Sequence, residues 1–471
     1  MPLSPVTTPY GAAQPPCGTE PAPAVERSPS RALRTGERGF GEVRAARCAP
    51  LAALRGAGVL VLGDHRQSLT VARSLHRAGY RVIAGGPSGN TILERSRCVA
   101  EVWDHPPNTQ RGDWAGALQE FCAARKDLGV VFPVGDGEIE LVEPLAGRLP
   151  VLVAIVAPPI LAVCRSKRAL LALADDTGVP TQPWELVESP DALAPALTRV
   201  GLPAVMKPDV SAHAAPGFKA AILRSEADAL GLLAQGAFPR SGFVLQRLAG
   251  SVRHNVYFVA RKGRLIGHMQ VRILGTDRPD GTGLAVEGES VPPSPALLDW
   301  TGALAARLSY TGVGCAQFLV EEPAGSASFL EINARLGANC ATACACGLDL
   351  PRLFIEALLG VTRPQPPATV GRHYAWLYGD LVGLASSLRS GRATWWQGIA
   401  WLGRAAMAQL SADHHITWSW RDPLPTIIMF GGFLRACFRA LIRGRLFARP
   451  HPIVLGRSGR RVRARLLSRE A

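Results

Sequence analysis

The chain has 471 residues, of which 47% are apolar, so it is long enough for two or three domains with buried cores. Its net charge of +15 is unevenly distributed, because residues 431–471 contain eleven arginines and one acid and contribute +10. No stretch of about 18 apolar residues is free of charges, so the sequence predicts no transmembrane helix. The ten cysteines lack the spacing of zinc ligands, and without a secretion signal they indicate reduced thiols in a cytoplasmic protein.

Residues 1–54 differ from the rest of the chain in composition. They are dense in Pro, Ala, Ser and Arg and show no sustained hydrophobic period, which is typical of a disordered tail. No continuous apolar segment follows a basic start, so a cleaved signal peptide is not expected. The acidic residues Glu20, Glu26, Glu37 and Glu42 argue against an organellar transit peptide.

The first folded segment is predicted to contain a strand, a helix and a second strand, over residues 58–63, 68–78 and 79–84. A strand–helix–strand unit of this length indicates a parallel sheet. Gly63 alone follows the first strand, so the Gly-x-Gly-x-x-Gly fingerprint of dinucleotide binding is absent and NAD is not expected.

Another strand-to-loop transition is predicted at residues 130–137. The carboxyl ends of parallel strands commonly form ligand crevices, and the sequence places Asp136 and Glu138 at this one. In one interpretation these carboxylates face a substrate. In the other they cap the start of a solvated helix.

Two apolar strands are predicted further along, over residues 312–320 and 329–335. The segment between them is rich in turn-forming residues, which indicates a hairpin. Such a hairpin brings Gln317 beside Glu331.

The second of these strands carries three polar residues at alternate positions. Because side chains alternate between the faces of a strand, Glu331, Asn333 and Arg335 share one face. Carboxylate and amide oxygens suit magnesium, and the planar guanidinium suits phosphate. The pattern therefore predicts a site for a magnesium nucleotide and a phosphorylated intermediate. The alternative is a half-exposed strand with an ordinary surface ion pair.

These residues carry a resemblance to a known family. Gln317-Phe318 on the first strand and Glu331-x-Asn333-x-Arg335 on the second resemble the metal-binding core of the ATP-grasp superfamily. The form with Gln-Phe is similar to that of carbamoyl-phosphate synthetase-like and carboxylate–amine ligase enzymes. The resemblance implies that Gln317, Glu331 and Asn333 hold Mg²⁺, with Mn²⁺ as the alternative metal. It also implies that Arg335 is catalytic and stabilises an acylphosphate.

The resemblance extends over residues 58–360 and implies a fold of the α/β and α+β classes. A Rossmann-like pre-ATP-grasp domain is expected first, and an ATP-grasp fold with a lid subdomain follows it. A family-specific extension with a basic amphipathic tail is expected at the C-terminus. The implied boundaries are 55–160 for the first domain, 161–362 for the ATP-grasp domain, 180–245 for its lid and 363–471 for the extension.

The resemblance also implies where ATP binds. Lys167, Lys207 and Lys219 match lysines that hold the phosphates, and Gln246 lies in the segment whose backbone contacts adenine. Arg272 is a second catalytic candidate, for a substrate or phosphate contact. The alternative for Arg272 is a strand cation without that role.

Three features depart from the family pattern. Ser166 stands where relatives have an aspartate, and Arg247 stands where they have a glutamate. The small-residue loop over residues 209–219 contains Gly217 but no double glycine, which puts tight closure over the phosphates in doubt.

The implied function is an ATP-dependent ligase. ATP phosphorylates a small-molecule carboxylate, and an amine then displaces phosphate from the acylphosphate. The alternatives are a nucleotide-binding regulator or pseudoenzyme, which the three departures favour, and a membrane-associated scaffold, which the C-terminal tail favours.

That tail is predicted to form a basic amphipathic helix. Arg435, Arg439 and Arg443 recur every four residues, and an apolar stripe of Leu434, Phe438 and Ile442 runs beside them. Such a helix suits the anionic inner face of a membrane. The alternative is a helix that packs on the protein body. No nucleic-acid recognition motif accompanies the charge, so specific nucleic-acid binding is not expected.

Overall fold

The structure of the protein is a computed structural model that describes residues 56–87, 91–107, 110–211, 220–234, 241–248, 250, 252–322 and 325–442. The tail predicted to be disordered, residues 1–54, lies outside the described residues. Lys219 and Arg443 lie outside them as well.

The N-terminal part of the described chain folds around a parallel sheet. Its elements are β1 (Gly58–Leu62), α1 (Arg66–Arg77), β2 (Arg81–Gly86), β3 (Val99–Asp104), α2 (Arg111–Ala124), β4 (Leu128–Pro133), α3 (Asp136–Val142) and β5 (Leu152–Val153). The strands lie in the order β3-β2-β1-β4-β5, and every pair is parallel. The predicted strand–helix–strand unit is therefore confirmed.

A four-stranded antiparallel sheet follows, with a hydrophobic core of its own. Its elements, with the two helices that precede it, are α4 (Pro158–Arg165), α5 (Lys167–Asp176), β6 (Trp184–Val187), α6 (Leu193–Val200), β7 (Ala204–Pro208), β8 (Ala221–Leu223), α7 (Glu226–Ala234) and β9 (Phe243–Arg247). The strands lie in the order β6-β9-β7-β8. This core packs Leu197, Met206 and Leu245, which all lie in the range predicted to form a lid.

The third sheet has seven strands and is the largest sheet within the described residues. Its elements are β10 (Val252–Arg261), β11 (Arg264–Thr276), β12 (Ala285–Val291), α8 (Pro295–Arg307), β13 (Gly312–Val320), β14 (Ala327–Asn333), α9 (Cys340–Ala345), α10 (Leu350–Leu358), β15 (His373–Ala375) and β16 (His414–His415). The order is β14-β13-β10-β11-β12-β15-β16, antiparallel throughout except for the last pair.

A tight turn fixes the register at the centre of this sheet. Arg261 pairs with Arg264, so β10 and β11 are joined by Lys262 and Gly263 alone. Both turn residues have positive φ, 48° and 80°, as a type I′ hairpin turn requires. A Cβ at Gly263 would also lie 2.8 Å from the Cα of Ala306 in α8, so glycine is needed there for space as well.

The C-terminal extension attaches to the edge of the third sheet through β15. Three helices complete it: α11 (Leu377–Arg389), α12 (Trp395–Ser411) and α13 (Leu424–Ile442). The buried Trp401 Nε1 donates to Asp380 Oδ1 at 2.8 Å and so fixes α12 on α11. No helix of the described residues is long and apolar enough to cross a bilayer.

A buried carboxylate ties the extension back to α1. Asp422 is 3% exposed and accepts hydrogen bonds from Arg73 Nε at 2.9 Å, Ser96 Oγ at 2.7 Å and the Arg97 backbone N–H at 2.9 Å. Arg73 also donates to the carbonyl oxygens of Asp422 and Thr417. The segment before α13 is thereby held by groups from the N-terminal part of the chain.

We expect Asp422→Ala to lower the free energy of unfolding by about 3–5 kcal/mol, because it leaves the largely buried guanidinium of Arg73 without its counter-charge. Denaturant unfolding followed by tryptophan fluorescence measures the effect. The matched control is Asp191→Ala at an exposed aspartate, for which about 0.5 kcal/mol or less is expected. Equal effects of the two substitutions would contradict a structural role for the Asp422 network.

Candidate active site

The predicted hairpin is confirmed, and its register brings the expected metal ligands together. β13 pairs with β14 so that Gln317 lies opposite Glu331 and Cys315 lies opposite Asn333. Opposed residues of a sheet share a face. Asn333 Nδ2 donates to Glu331 Oε1 at 2.9 Å, which orients the carboxylate.

Two lysines from other elements face the same carboxylate. Lys167 begins α5, and Lys207 lies near the end of β7. Burial lowers the pKa of both ammonium groups, that of Lys207 to about 8, while the charge of Glu331 acts in the opposite direction on each. Lys207 Nζ donates to Oε1 of the buried Gln246 at 3.3 Å. The structure thus brings together Lys167, Lys207, Gln246 and the hairpin ligands.

A carboxylate that the sequence did not single out accompanies Lys167. Asp209, just after β7, accepts from Ser166 Oγ and from the backbone N–H of Arg168, both at 2.9 Å. It therefore lies at the first turn of α5, where negative charge is stabilised. Asp209 supplies a carboxylate beside Lys167, although Ser166 stands where relatives have an aspartate. Ser166 itself caps α5, since its Oγ accepts from Ala169 N.

The strand predicted to reach residue 335 ends at Asn333, so Arg335 lies in the bend that follows it and not on the strand. There Arg335 faces Asp136, the first residue of α3. Its Nε and Nη2 donate to the two oxygens of Asp136 at 2.7 and 2.9 Å. Burial would raise the pKa of Asp136, but the charge and hydrogen bonds of Arg335 outweigh it and the pKa is lowered. Beside this pair, His65 Nε2 lies 3.0 Å from Glu138 Oε2, and that hydrogen bond raises the pKa of His65. Both carboxylates predicted at the end of β4 lie in the first turn of α3, as the helix-start interpretation expects, and each has a basic partner.

The structure does not bring Arg272 into this cluster. Asn255 of β10 pairs with Gln317 on one side and with Val271 on the other, so Arg272 points to the opposite face of the sheet. There it binds Glu322 at 2.6 Å and Glu289 at 3.2 Å.

Arg253 is a functional candidate that the sequence reasoning missed. It lies two residues before Asn255 on β10 and so shares a face with the metal-ligand row. Its Nη1 donates to the Gly283 carbonyl at 3.1 Å, whereas its buried Nε has no hydrogen-bond partner among the described residues. The alternation of Arg253, Asn255 and Tyr257 was the available signal, but it identifies a face only once the strand register is known.

Arg66, the first residue of α1, is the second missed candidate. Burial lowers its pKa to about 10, and its guanidinium stacks 3.8 Å from the centre of the Trp376 ring. Nη1 reaches the Ala285 carbonyl at 3.5 Å, and the buried Nη2 has no partner within the described part of the chain. A charged, incompletely bonded guanidinium in a buried setting favours an anionic ligand.

Arg66 and Arg253 flank the same tyrosine. Both lie within electrostatic reach of Tyr374, whose hydroxyl accepts from Asn339 Nδ2 at 2.8 Å. Cys315 is within electrostatic reach of Arg253, Arg335 and Glu331, so Arg253 adjoins the hairpin ligands. We call this candidate site the cleft. Its lysine end contains Lys167 and Lys207, and its arginine end contains Arg253 and, through Tyr374, Arg66.

The donor set fits a magnesium ion that arrives with a nucleotide. Among the described residues, no group of three His, Cys, Asp or Glu side chains could hold a metal ion. The expected set supplies one carboxylate, Glu331, and two amide oxygens, from Gln317 and Asn333. Magnesium is commonly held by one or two carboxylates together with substrate phosphates, so this set suits Mg-ATP better than the free ion.

About two thirds of the chain is similar in fold to solved structures of known enzymes. N5-carboxyaminoimidazole ribonucleotide synthetase (purK), solved as its ADP complex, superposes with a TM-score of 0.53 at 16% identity, over 68% of this chain and 81% of that one. The biotin carboxylase domain of Hydrogenobacter thermophilus 2-oxoglutarate carboxylase, solved with MgADP and bicarbonate, gives 0.55 at 16%, over 67% and 73%.

The N5-carboxyaminoimidazole ribonucleotide synthetase of Thermus thermophilus gives 0.51 at 21% identity, over 67% of this chain and 81% of that one. The chain has the ATP-grasp fold. The fold predicted from the Gln-Phe and Glu-x-Asn-x-Arg strands is thereby confirmed. At these sequence identities, the similarity to the solved structures establishes the fold of the chain and not its activity. The sequence matches no family model and no curated protein.

We expect the affinity for Mg-ATP to fall above pH 8, by up to about tenfold per pH unit, because Lys207 deprotonates near pH 8 in the empty cleft and must be recharged to bind phosphate. Between pH 8 and the ordinary lysine value of 10.5, the unfolded chain retains this proton and the folded chain does not. The same group therefore makes the free energy of unfolding rise with pH over that window.

Calorimetry in buffers of different ionisation enthalpy measures the proton uptake that accompanies Mg-ATP binding at pH 8.5. Lys207→Arg is the control, since arginine stays charged and should take up no proton. Equal proton uptake by the wild type and the variant would assign the titration to another group.

Proposed function

We propose that the protein is an ATP-dependent ligase of the carboxylate–amine type. ATP phosphorylates a small-molecule carboxylate, and an amine then attacks the acylphosphate, forming a carbon–nitrogen bond and releasing phosphate. ADP is the other product. The observation that carries this proposal is the convergence of Lys167, Lys207 and Glu331 from three separate elements on one cleft.

Each part of the cleft has a task in this reaction. Lys167 and Lys207 neutralise the phosphates of ATP, and Gln246 fixes Lys207. Gln317, Glu331 and Asn333 hold magnesium, which supplies charge neutralisation at the transferring phosphoryl group. The reaction requires no covalent nucleophile from the protein, so positioning and electrostatic stabilisation carry the rate.

Arg335 acts on the transferred group. In the structure its two donors are occupied by the two oxygens of the Asp136 carboxylate. Arginine binds two oxygens of a phosphate group through the same pair of parallel hydrogen bonds. We propose that the acylphosphate takes over these two donors, while Asp136 returns to His65 and solvent. Lys219 lies outside the described residues, and its phosphate role remains a prediction from the sequence.

The arginine end of the cleft supports a place for the carboxylate substrate. Arg66 and Arg253 each have a buried nitrogen without a partner among the described residues. Arg253 adjoins Glu331 through Cys315, and Arg66 lies with Arg253 at Tyr374. A carboxylate held there would supply the missing acceptor to both guanidinium groups.

The first test is a thermal-shift titration with Mg-ATP. We expect stabilisation of the wild type that requires magnesium, about 2.7 kcal/mol when the ligand is at a hundred times its dissociation constant, and its loss in Glu331→Ala combined with Asn333→Ala. Magnesium alone should give no shift, because the protein offers it one carboxylate. Glu321→Ala, at an exposed acid beyond the end of β13, is the matched control.

Release of ADP separates the ligase from a nucleotide-binding regulator. A mixture of carboxylates and amines should stimulate ADP formation by the wild type and not by Glu331→Ala. Binding of Mg-ATP without ADP release under any substrate mixture would favour the regulator. The supporting observation for that alternative is that Ser166 and Arg247 depart from the family pattern.

The carboxylate position is tested with Arg66→Gln. We expect the KM for the carboxylate to rise at least about tenfold, the effect of losing one charge-assisted hydrogen bond, with the affinity for Mg-ATP unchanged. Arg77→Gln, on the same helix, is the matched control and should leave both constants as in the wild type. An equal loss of ATP affinity in Arg66→Gln would contradict this placement.

A further inference from the structure

Helix α12 presents an apolar surface outside the cleft. Its buried face consists of Gly398, Trp401, Ala405 and Ala408, which pack toward α11. The opposite face is apolar as well. Its large exposed side chains are Trp395, Trp396, Ile399, Leu402, Met407 and Leu410, and those of Trp396 and Leu410 are 81% and 82% exposed. A helix with apolar side chains on its covered face and also on its exposed face leaves a surface unsuited to water.

Helix α13 carries a second exposed apolar stripe. Leu424, Ile427, Leu434, Phe438 and Ile442 are all exposed and follow the spacing of one helix face. The predicted stripe of Leu434, Phe438 and Ile442 therefore lies on the outside of the protein and is not packed on its body. Trp420, just before this helix, is 85% exposed.

The two helices adjoin each other through α11. Tyr378 of α11 makes ring contacts with Phe430 and Phe433 of α13, and Asp380 of α11 holds Trp401 of α12. A small cavity of about 160 Å³ is lined by residues of both α12 and α13. The exposed stripes thus belong to one structural unit and are not isolated side chains.

The charge on helices α12 and α13 has a single sign. Neither helix contains an aspartate or glutamate, and Arg404, Arg435 and Arg439 are their charged residues. The acids of the connecting segment are neutralised, since Asp413 binds Arg372 and Asp422 binds Arg73. Residues 443–471 add nine arginines and one glutamate in sequence.

We infer that α12 and α13 form a membrane-docking surface for an anionic lipid bilayer. Apolar side chains with tryptophan enter the interface between headgroups and acyl chains, and arginines meet anionic headgroups. A second copy of this chain is disfavoured as the occupant, because a symmetric contact would juxtapose arginines with no acid opposite them. Nucleic acid would leave the apolar stripes uncovered.

This inference goes beyond the proposed reaction and is independent of it. The contact lies at the bilayer surface, and its strength comes from buried apolar area together with salt-dependent attraction to anionic headgroups. The docking surface is defined by the exposed residues of α12 and α13 and does not include the cleft.

The experiment is co-sedimentation of the full chain with unilamellar vesicles of phosphatidylcholine, with and without phosphatidylglycerol. We expect the wild type to bind the anionic vesicles and to be released by high salt. Trp396→Ser combined with Leu410→Ser should lower the partition coefficient at least tenfold, as should Leu434→Ser combined with Phe438→Ser. Arg435→Glu combined with Arg439→Glu should lower it at least tenfold at low salt and less at high salt.

The matched control is Leu230→Ser combined with Val370→Ser, two exposed apolar residues outside these helices, which should bind as the wild type does. Thermal unfolding of every variant confirms that it is folded. Absence of wild-type binding, equal binding to both vesicle types, or wild-type binding by all three test variants would overturn the inference.

Analytical ultracentrifugation without lipid provides the remaining outcome. We expect the wild type and the variants to have the same oligomeric state. If the wild type self-associates and the α12 and α13 substitutions dissociate it, the surface joins copies of the chain and the membrane inference fails.

Discussion

The burial of two ammonium groups beside Glu331 governs this site. Lys167 and Lys207 both face Glu331, and Asp209 is a second carboxylate beside Lys167, yet burial still lowers the pKa of both lysines. Such a cluster costs free energy in the empty protein, because water is excluded and the carboxylates do not fully offset the burial of the two charges. A bound polyphosphate places further negative charge beside these lysines, so the cluster favours that ligand.

The cluster depends on strand register more than on any single contact. One-residue slippage of β13 against β14 would move Gln317 to the opposite face and replace it with Phe318, which belongs to the core. Because side chains alternate between the two faces of a strand, the metal ligands lie on one face of the sheet and Arg272 lies on the other. In the neighbouring β10–β11 hairpin, the Lys262-Gly263 turn and the packing of α8 fix the register.

The sequence predicts the local parts of this arrangement well. The Glu331-x-Asn333 alternation and the turn before it define a hairpin without knowledge of the remaining fold. These features depend on residues close in the chain. The roles of Arg253, Arg66 and Asp209 could not be predicted in the same way, because each depends on pairing between distant segments.

The exposure of the C-terminal tryptophans also escaped prediction. Composition treats Trp396, Trp401 and Trp420 alike, yet the structure buries Trp401 against Asp380 and exposes the other two. Burial is decided by which face of a helix meets its neighbour, and hydrophobic periodicity gives no answer for a helix with apolar side chains on more than one face. Arg272 shows the same limit, since its face follows from β10 pairing and not from its own sequence.

Helix α1 connects two distant parts of the chain. Its first residue, Arg66, lies at the arginine end of the cleft. Arg73, seven residues later and about 10 Å along the axis, donates a hydrogen bond to Asp422. Both arginines lie on one 12-residue helix, so the contact that fixes the segment before α13 also fixes the helix that positions Arg66. The anchoring of the extension and the position of a cleft arginine therefore depend on the same structural element.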